Sequence, residues 1–131
     1  MTYLRCMARR IPPSAYLEPV KSSASRRTQV NVFGTTRARV WQVPAGGTSA
    51  GMRAAQLQHS VARQLRDAIA MSQWGSLAEF ARQHDEFTYD RLRGTLSGDL
   101  WMRLEDVAEI SHLLGLCPRL LFDGEEGSVG A

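Results

Sequence analysis

The sequence predicts a mainly α domain of four to five helices, preceded by a basic arm that carries a candidate β-hairpin. Three observations predict it. Apolar residues recur at helical spacing from about residue 54 to 122, beginning with the stripe Leu57, Val61, Leu65 and Ala68 or Ile69. Between Ser76 and Gly98 two short amphipathic segments flank a tight polar break, and each opens on a capping residue. Before residue 44 the pattern changes to β-branched and aromatic runs around a glycine.

Taken in order, residues 1–29 are rich in Ser, Pro and Arg, show no sustained period and read as irregular. Gln29–Phe33 and Ala38–Val43 flank Gly34-Thr35-Thr36-Arg37, which predicts a hairpin over 29–43. An isolated two-stranded hairpin is marginal in water, so it needs a surface to pack on. Pro44–Gly51 reads as a Gly-rich flexible linker. The expected organisation is therefore an arm over 1–51, a helical domain over 52–122 and a short acidic tail over 123–131. Translation from Met52 would yield the helical domain without its arm.

The first helix is expected at about 54–71, ended by Ser72 to Gly75. The second, 76–84, opens on the capping box Ser76-x-x-Glu79 and buries Leu77, Phe80 and Ala81. Asp85-Glu86-Phe87 makes the turn, with Phe87 directed inward. Thr88 caps the third helix, 89–97, which carries Leu92 and Leu96 inward and ends at Gly98. Leu104, Val107, Ile110, Leu113 and Leu114 form the stripe of a fourth helix ended by Gly115. Pro118 suits the first position of a fifth, with Leu120, Leu121 and Phe122 as its apolar residues.

A net charge of +3 conceals an asymmetry, with +8 over residues 1–53 and −5 over residues 54–131. A basic arm on an acidic domain fits a polyanion binder, and a solvated tail is the alternative. No stretch is apolar and long enough to span a bilayer, and the N-terminus lacks the apolar run of a secretory signal. Two cysteines, Cys6 and Cys117, provide no disulfide framework, so a cytoplasmic location is expected. His59, His84 and His112 have no partners at metal-ligand spacing, and His84 reads as a core or boundary residue. Phosphate-loop and nucleophile-elbow motifs are lacking, Cys117 reads as packing, and Glu125-Glu126 reads as solvated tail. The expectation is a non-enzyme without metal or cofactor.

A long first helix, two short helices around a tight turn, the run LRGTLSG over 92–98 and a fourth amphipathic helix together resemble the Cro/C1-type (XRE-like) helix-turn-helix family. The resemblance covers about residues 57–116. Phe87, Thr88, Leu92, Leu96 and Gly98 fill that family's turn, cap, aliphatic and terminal positions. Asp85 replaces a common Gly, the turn is one residue longer, and Thr95 replaces a common aliphatic. By position the resemblance implies base readout by Tyr89, Asp90 and Arg93, with Gly94 at a reader position that has no side chain. It further implies backbone contacts from Ser76, Thr88, Arg91 and Arg103, with Trp101 beside them or else in a core or dimer contact.

The arm arginines Arg26, Arg27, Arg37 and Arg39 are expected to add phosphate contacts. A solvated helix face is the alternative for Tyr89, Arg91 and Arg93, and plain capping for Ser76. Leu120, Leu121 and Phe122 are dimer or core residues. The implied protein is a phage- or prophage-type repressor in the bacterial nucleoid, occupying an operator in double-stranded DNA as a homodimer or monomer. No small-molecule ligand is implied. Two rival expectations are an antitoxin that captures a toxin with its arm, and a protein-interaction module that no longer binds DNA.

Overall fold

Thr48 starts the longest helix, its side chain accepting from Gly51 N–H at 2.9 Å. This helix, α1, spans Ser49–Ala70 in a computed structural model that describes residues 10–17, 33–35, 40–84 and 88–123. The Gly-rich stretch expected as linker therefore ends at Thr48, because the Thr side chain satisfies a first-turn amide and Ser-Ala-Gly follow as helix. Helices α2 (Leu77–Gln83), α3 (Tyr89–Ser97), α4 (Leu104–Leu114) and α5 (Pro118–Asp123) follow, each within about two residues of its expected bounds. Pro13–Tyr16 forms a 3-10 turn ahead of them. The described residues are mainly helical, and no helix among them is long and apolar enough to cross a membrane.

Local chemistry sets the helix ends. Ser76 Oγ accepts from Glu79 N–H at 3.2 Å, and Thr88 Oγ1 accepts from Arg91 N–H at 3.2 Å. The Glu79 half of the expected capping box reaches forward instead, to Arg82 and Gln83. Asp106 opens α4 by accepting from Arg103 N–H at 2.9 Å. Gly98 ends α3 in the left-handed region at φ 83°, where any side chain would also meet the Phe33 ring.

The core lies between α1, with Val61, Leu65 and Ile69, and the inner faces of α3 (Leu92, Leu96) and α4 (Val107, Ile110), closed by Phe80 and Leu121. Leu57 was expected on this stripe, but it is 43% exposed and Gln58 takes the inward position. Leu104, expected on the α4 stripe, is 76% exposed. The first shift follows from the 3.6-residue period: Ala55, Gln58, Val61/Ala62, Leu65 and Ile69 share one face, and Leu57 lies off it.

Residues before the linker join the same core. Phe33 is 1% exposed and Leu17 6%. Phe33 and Trp41 pack edge-on against His59 of α1, with ring centroids 5.3 and 5.4 Å away. His59 Nδ1 accepts from Gly34 N–H at 2.9 Å, which requires that nitrogen to be unprotonated. Trp41 forms an isolated antiparallel bridge with Leu17, reinforced by Gln42 N–H donating to Tyr16 O at 2.8 Å. Phe33 itself lies in a turn. Most of the hairpin expected over 29–43 lies outside the described residues, as do the turn 85–87 and the tail from 124.

Two variants test this packing. Phe33→Ala is expected to cost about 3–5 kcal/mol in urea unfolding, since it empties a buried aromatic site. Gln58→Leu is expected to cost about 2–4 kcal/mol, because it leaves buried backbone groups without partners. A midpoint unchanged by either substitution would contradict the packing described.

Candidate nucleic-acid interface

One face of α3 is sealed and the other is open. Leu92, Thr95 and Leu96 are buried, while Tyr89 is 45% exposed and Asp90 and Arg93 are exposed. The sealed face is held through its carbonyl groups. Gln58 Nε2 donates to Thr95 O at 2.8 Å and Leu100 O at 2.9 Å, and Gln58 Oε1 accepts from Met102 N–H at 2.8 Å. Arg66 Nε donates to Leu96 O at 3.3 Å. Ser14 N–H donates to Gly98 O at 2.9 Å. Thr95, where an aliphatic was expected, is satisfied internally by donating to Leu92 O at 3.0 Å.

Gly94 does not stand on the open face. It is buried, and a Cβ there would lie 2.8 Å from Leu100 Cδ1. Its carbonyl accepts from Asp99 N–H at 2.9 Å and Leu100 N–H at 3.1 Å. The glycine thus admits the loop after α3 rather than an external surface, and its placement as a reader position is corrected.

The expected backbone-contacting residues divide by what already holds them. Arg91 is half-buried and donates from Nη2 to Asp106 Oδ2 at 2.7 Å, joining α3 to α4. Ser76 and Thr88 are exposed and act as caps. Next to Ser76, the side chains of Arg82 and then Gln83 hold the Glu79 carboxyl below the usual carboxylate range. That pairing in turn raises the Arg82 guanidinium. The first turn of α2 therefore carries a carboxylate that opposes an incoming anion. Arg103 is exposed, and Trp101 is fixed by donating from Nε1 to Ile11 O at 2.7 Å. Arg26, Arg27, Arg37 and Arg39 lie outside the described residues.

Arg66 was not singled out in the sequence, yet it reaches from α1 to α3, where it bonds Leu96 O. Burial lowers its guanidinium from the ordinary arginine value, and Coulomb attraction to Tyr89 opposes that shift. An arginine stays charged under such a shift, so it adds a cation near Tyr89. Gln58 was missed as well. The signal available was a polar side chain at an interior position of the α1 stripe.

Of the three dimer or core residues, Leu121 is 4% exposed and belongs to the core, with Gln64 Nε2 donating to its carbonyl at 2.9 Å. Leu120 is 61% exposed and Phe122 37%. Phe122, Leu57, Met102 and Leu104 line an open groove of about 250 Å³. His84 is a satisfied boundary residue. It packs on Trp74 at 4.8 Å, and its Nδ1 meets Phe80 O at 2.7 Å, so that nitrogen carries the proton. Among the described residues no group of three His, Cys, Asp or Glu side chains is placed to hold a metal ion.

Compared with known proteins, the chain matches no family model, no curated protein and no solved structure at a significant level.

Asp106 both caps α4 and holds Arg91, so Asp106→Ala is expected to cost about 1–2 kcal/mol in urea unfolding. Asp106→Asn keeps an oxygen for the Arg103 amide and is expected to cost less. Equal losses in the two variants would show that the ion pair, and not the cap, dominates.

Proposed function

We propose that the chain is a sequence-specific DNA-binding regulator of the helix-turn-helix kind, in which α2 supports α3 and α3 enters the major groove. The observation that carries this reading is the anchoring of α3. Its inner face is buried and its carbonyls are held by Gln58, Arg66 and Ser14, while Tyr89, Asp90 and Arg93 project outward. Rigid presentation of a short helix is what groove reading needs, because a base contact is lost with small displacements.

Each outward residue has a plausible partner chemistry. The Arg93 guanidinium can donate two parallel bonds to guanine O6 and N7. Tyr89 offers an aromatic face to a thymine methyl or a hydroxyl to phosphate. Asp90 accepts from cytosine N4 or orients a neighbouring cation. Residues 54–131 carry −5, so non-specific attraction must come from local cations and from the basic residues before them. Arg93, Arg103 and Arg66 supply that charge on the described surface, and the arm arginines are its proposed extension. Regulation would follow from occupying an operator and excluding polymerase, as in a phage-type repressor, with no cofactor.

A second reading is a protein-interaction module. The groove between Leu57, Leu104 and Phe122 favours it, as does the capture of Arg91 by Asp106. An antitoxin would combine the two activities.

The deciding measurement is selection from random double-stranded oligonucleotides with the full-length protein, followed by anisotropy on the enriched site. Arg93→Ala is expected to weaken the specific complex by about 10- to 100-fold with unchanged helicity, the loss typical of one bidentate base contact. Absence of any enriched motif at low salt would favour the interaction module instead.

A further inference from the structure

A second surface of the chain gathers polar donors around a cleft. The N-terminus of α1 opens into a cleft of about 540 Å³, bounded by Arg10, Tyr16, Gly46, Thr48, Gly51 and Trp101. A helix of 22 residues ends there with no acidic residue in its first turn. Thr48 Oγ1 satisfies Gly51 N–H, whereas the Ser49 and Ala50 amides have no acceptor among the described residues. The helix dipole adds positive potential at the same place.

Tyr16 points independently to a ligand. The residue is 4% exposed, yet its hydroxyl has no hydrogen-bond partner among the described residues. Among the described residues Ser111 Oγ is the buried side-chain polar atom without a partner, so the Tyr16 hydroxyl oxygen opens into the cleft, where a ligand or solvent supplies its bond. The hydroxyl end lies directly against the first turn of α1: a Cβ on Gly51 would fall 2.3 Å from it, and one on Gly47 3.0 Å. Glycine is therefore required at Gly51, at a cost of about 1 kcal/mol in helix propensity. On the same cleft, the Arg10 guanidinium rests 4.4 Å over the Trp101 ring, and no carboxylate pairs with it among the described residues. The Trp101 ring is itself fixed by its bond to Ile11 O.

We infer that this cleft binds a phosphate group, held by the Ala50 amide, the Tyr16 hydroxyl and the Arg10 guanidinium. Those donors supply the geometry and charge that a phosphate oxygen accepts. The cleft is larger than one phosphate, so a phosphoester fits with its remainder along Trp101. Two sources present this chemistry, a free phosphorylated small molecule and a phosphodiester of nucleic acid. The site does not depend on α3 reading bases.

Amide chemical shifts of the full chain test the inference in three titrations, with inorganic phosphate, with deoxyadenosine 5′-monophosphate and with a short non-operator duplex. A saturable shift of the Ala50 amide is expected. A response to either free phosphate assigns a small-molecule site, and a response to the duplex alone assigns a backbone contact. Tyr16→Phe is expected to weaken binding several-fold while leaving the unfolding midpoint unchanged, since the hydroxyl opens into the cleft and bonds no other described residue. Arg10→Gln is expected to weaken binding about tenfold, the loss of one charge-assisted contact. A silent Ala50 amide in all three titrations, or unchanged affinity in both variants, overturns the inference. Because two of the titrants are not DNA, a failed operator search leaves this result independent.

Discussion

The side-chain amide of Gln58 is the contact on which the exposed surface depends. It bonds Thr95 O, Leu100 O and Met102 N–H, and so ties the end of α3 and the loop after it to the middle of α1. An amide donates and accepts at once, which an aliphatic side chain cannot do, and burial makes each unmet partner costly. Gly94 is the steric counterpart, because its missing side chain lets Leu100 close on α3. Without both, the loop would stand off and the outward residues of α3 would lose their fixed orientation.

The residues before α1 extend this support instead of trailing from it. Ser14 bonds the carbonyl of Gly98, Phe33 packs on the same glycine, and His59 accepts from Gly34. Gly98 therefore satisfies two demands at once, a left-handed helix end and a flat surface for an aromatic ring. The apolar area of Phe33, Leu17 and Trp41 gives these segments a reason to dock that a bare two-stranded hairpin lacks.

Charge is distributed by pairing more than by composition. Arg91 and Arg82 are engaged by Asp106 and Glu79, whereas Arg93 and Arg103 remain outward and Arg66 is half-buried beside Tyr89. Counting arginines on α3 overstates its free charge, because an ion-paired guanidinium presents little field at a distance. The proposed anion contacts fall on Arg93 and, separately, on the α1 N-terminus near Arg10.

By itself the sequence determined the helices and most of their ends, because capping, helical period and left-handed glycine are local: Ser76, Thr88, Gly98 and Gly115 are all found in those roles. The exposure of Tyr89, Asp90 and Arg93 was legible for the same reason, since the face opposite Leu92 and Leu96 must point away from the core. Only the tertiary structure decided that Gln58 replaces Leu57 inside, that Gly94 faces Leu100, that Asp106 takes Arg91, and that Tyr16 reaches the start of α1. Each of these joins residues distant in the chain, so it depends on which surfaces meet, and no local propensity or period encodes that meeting.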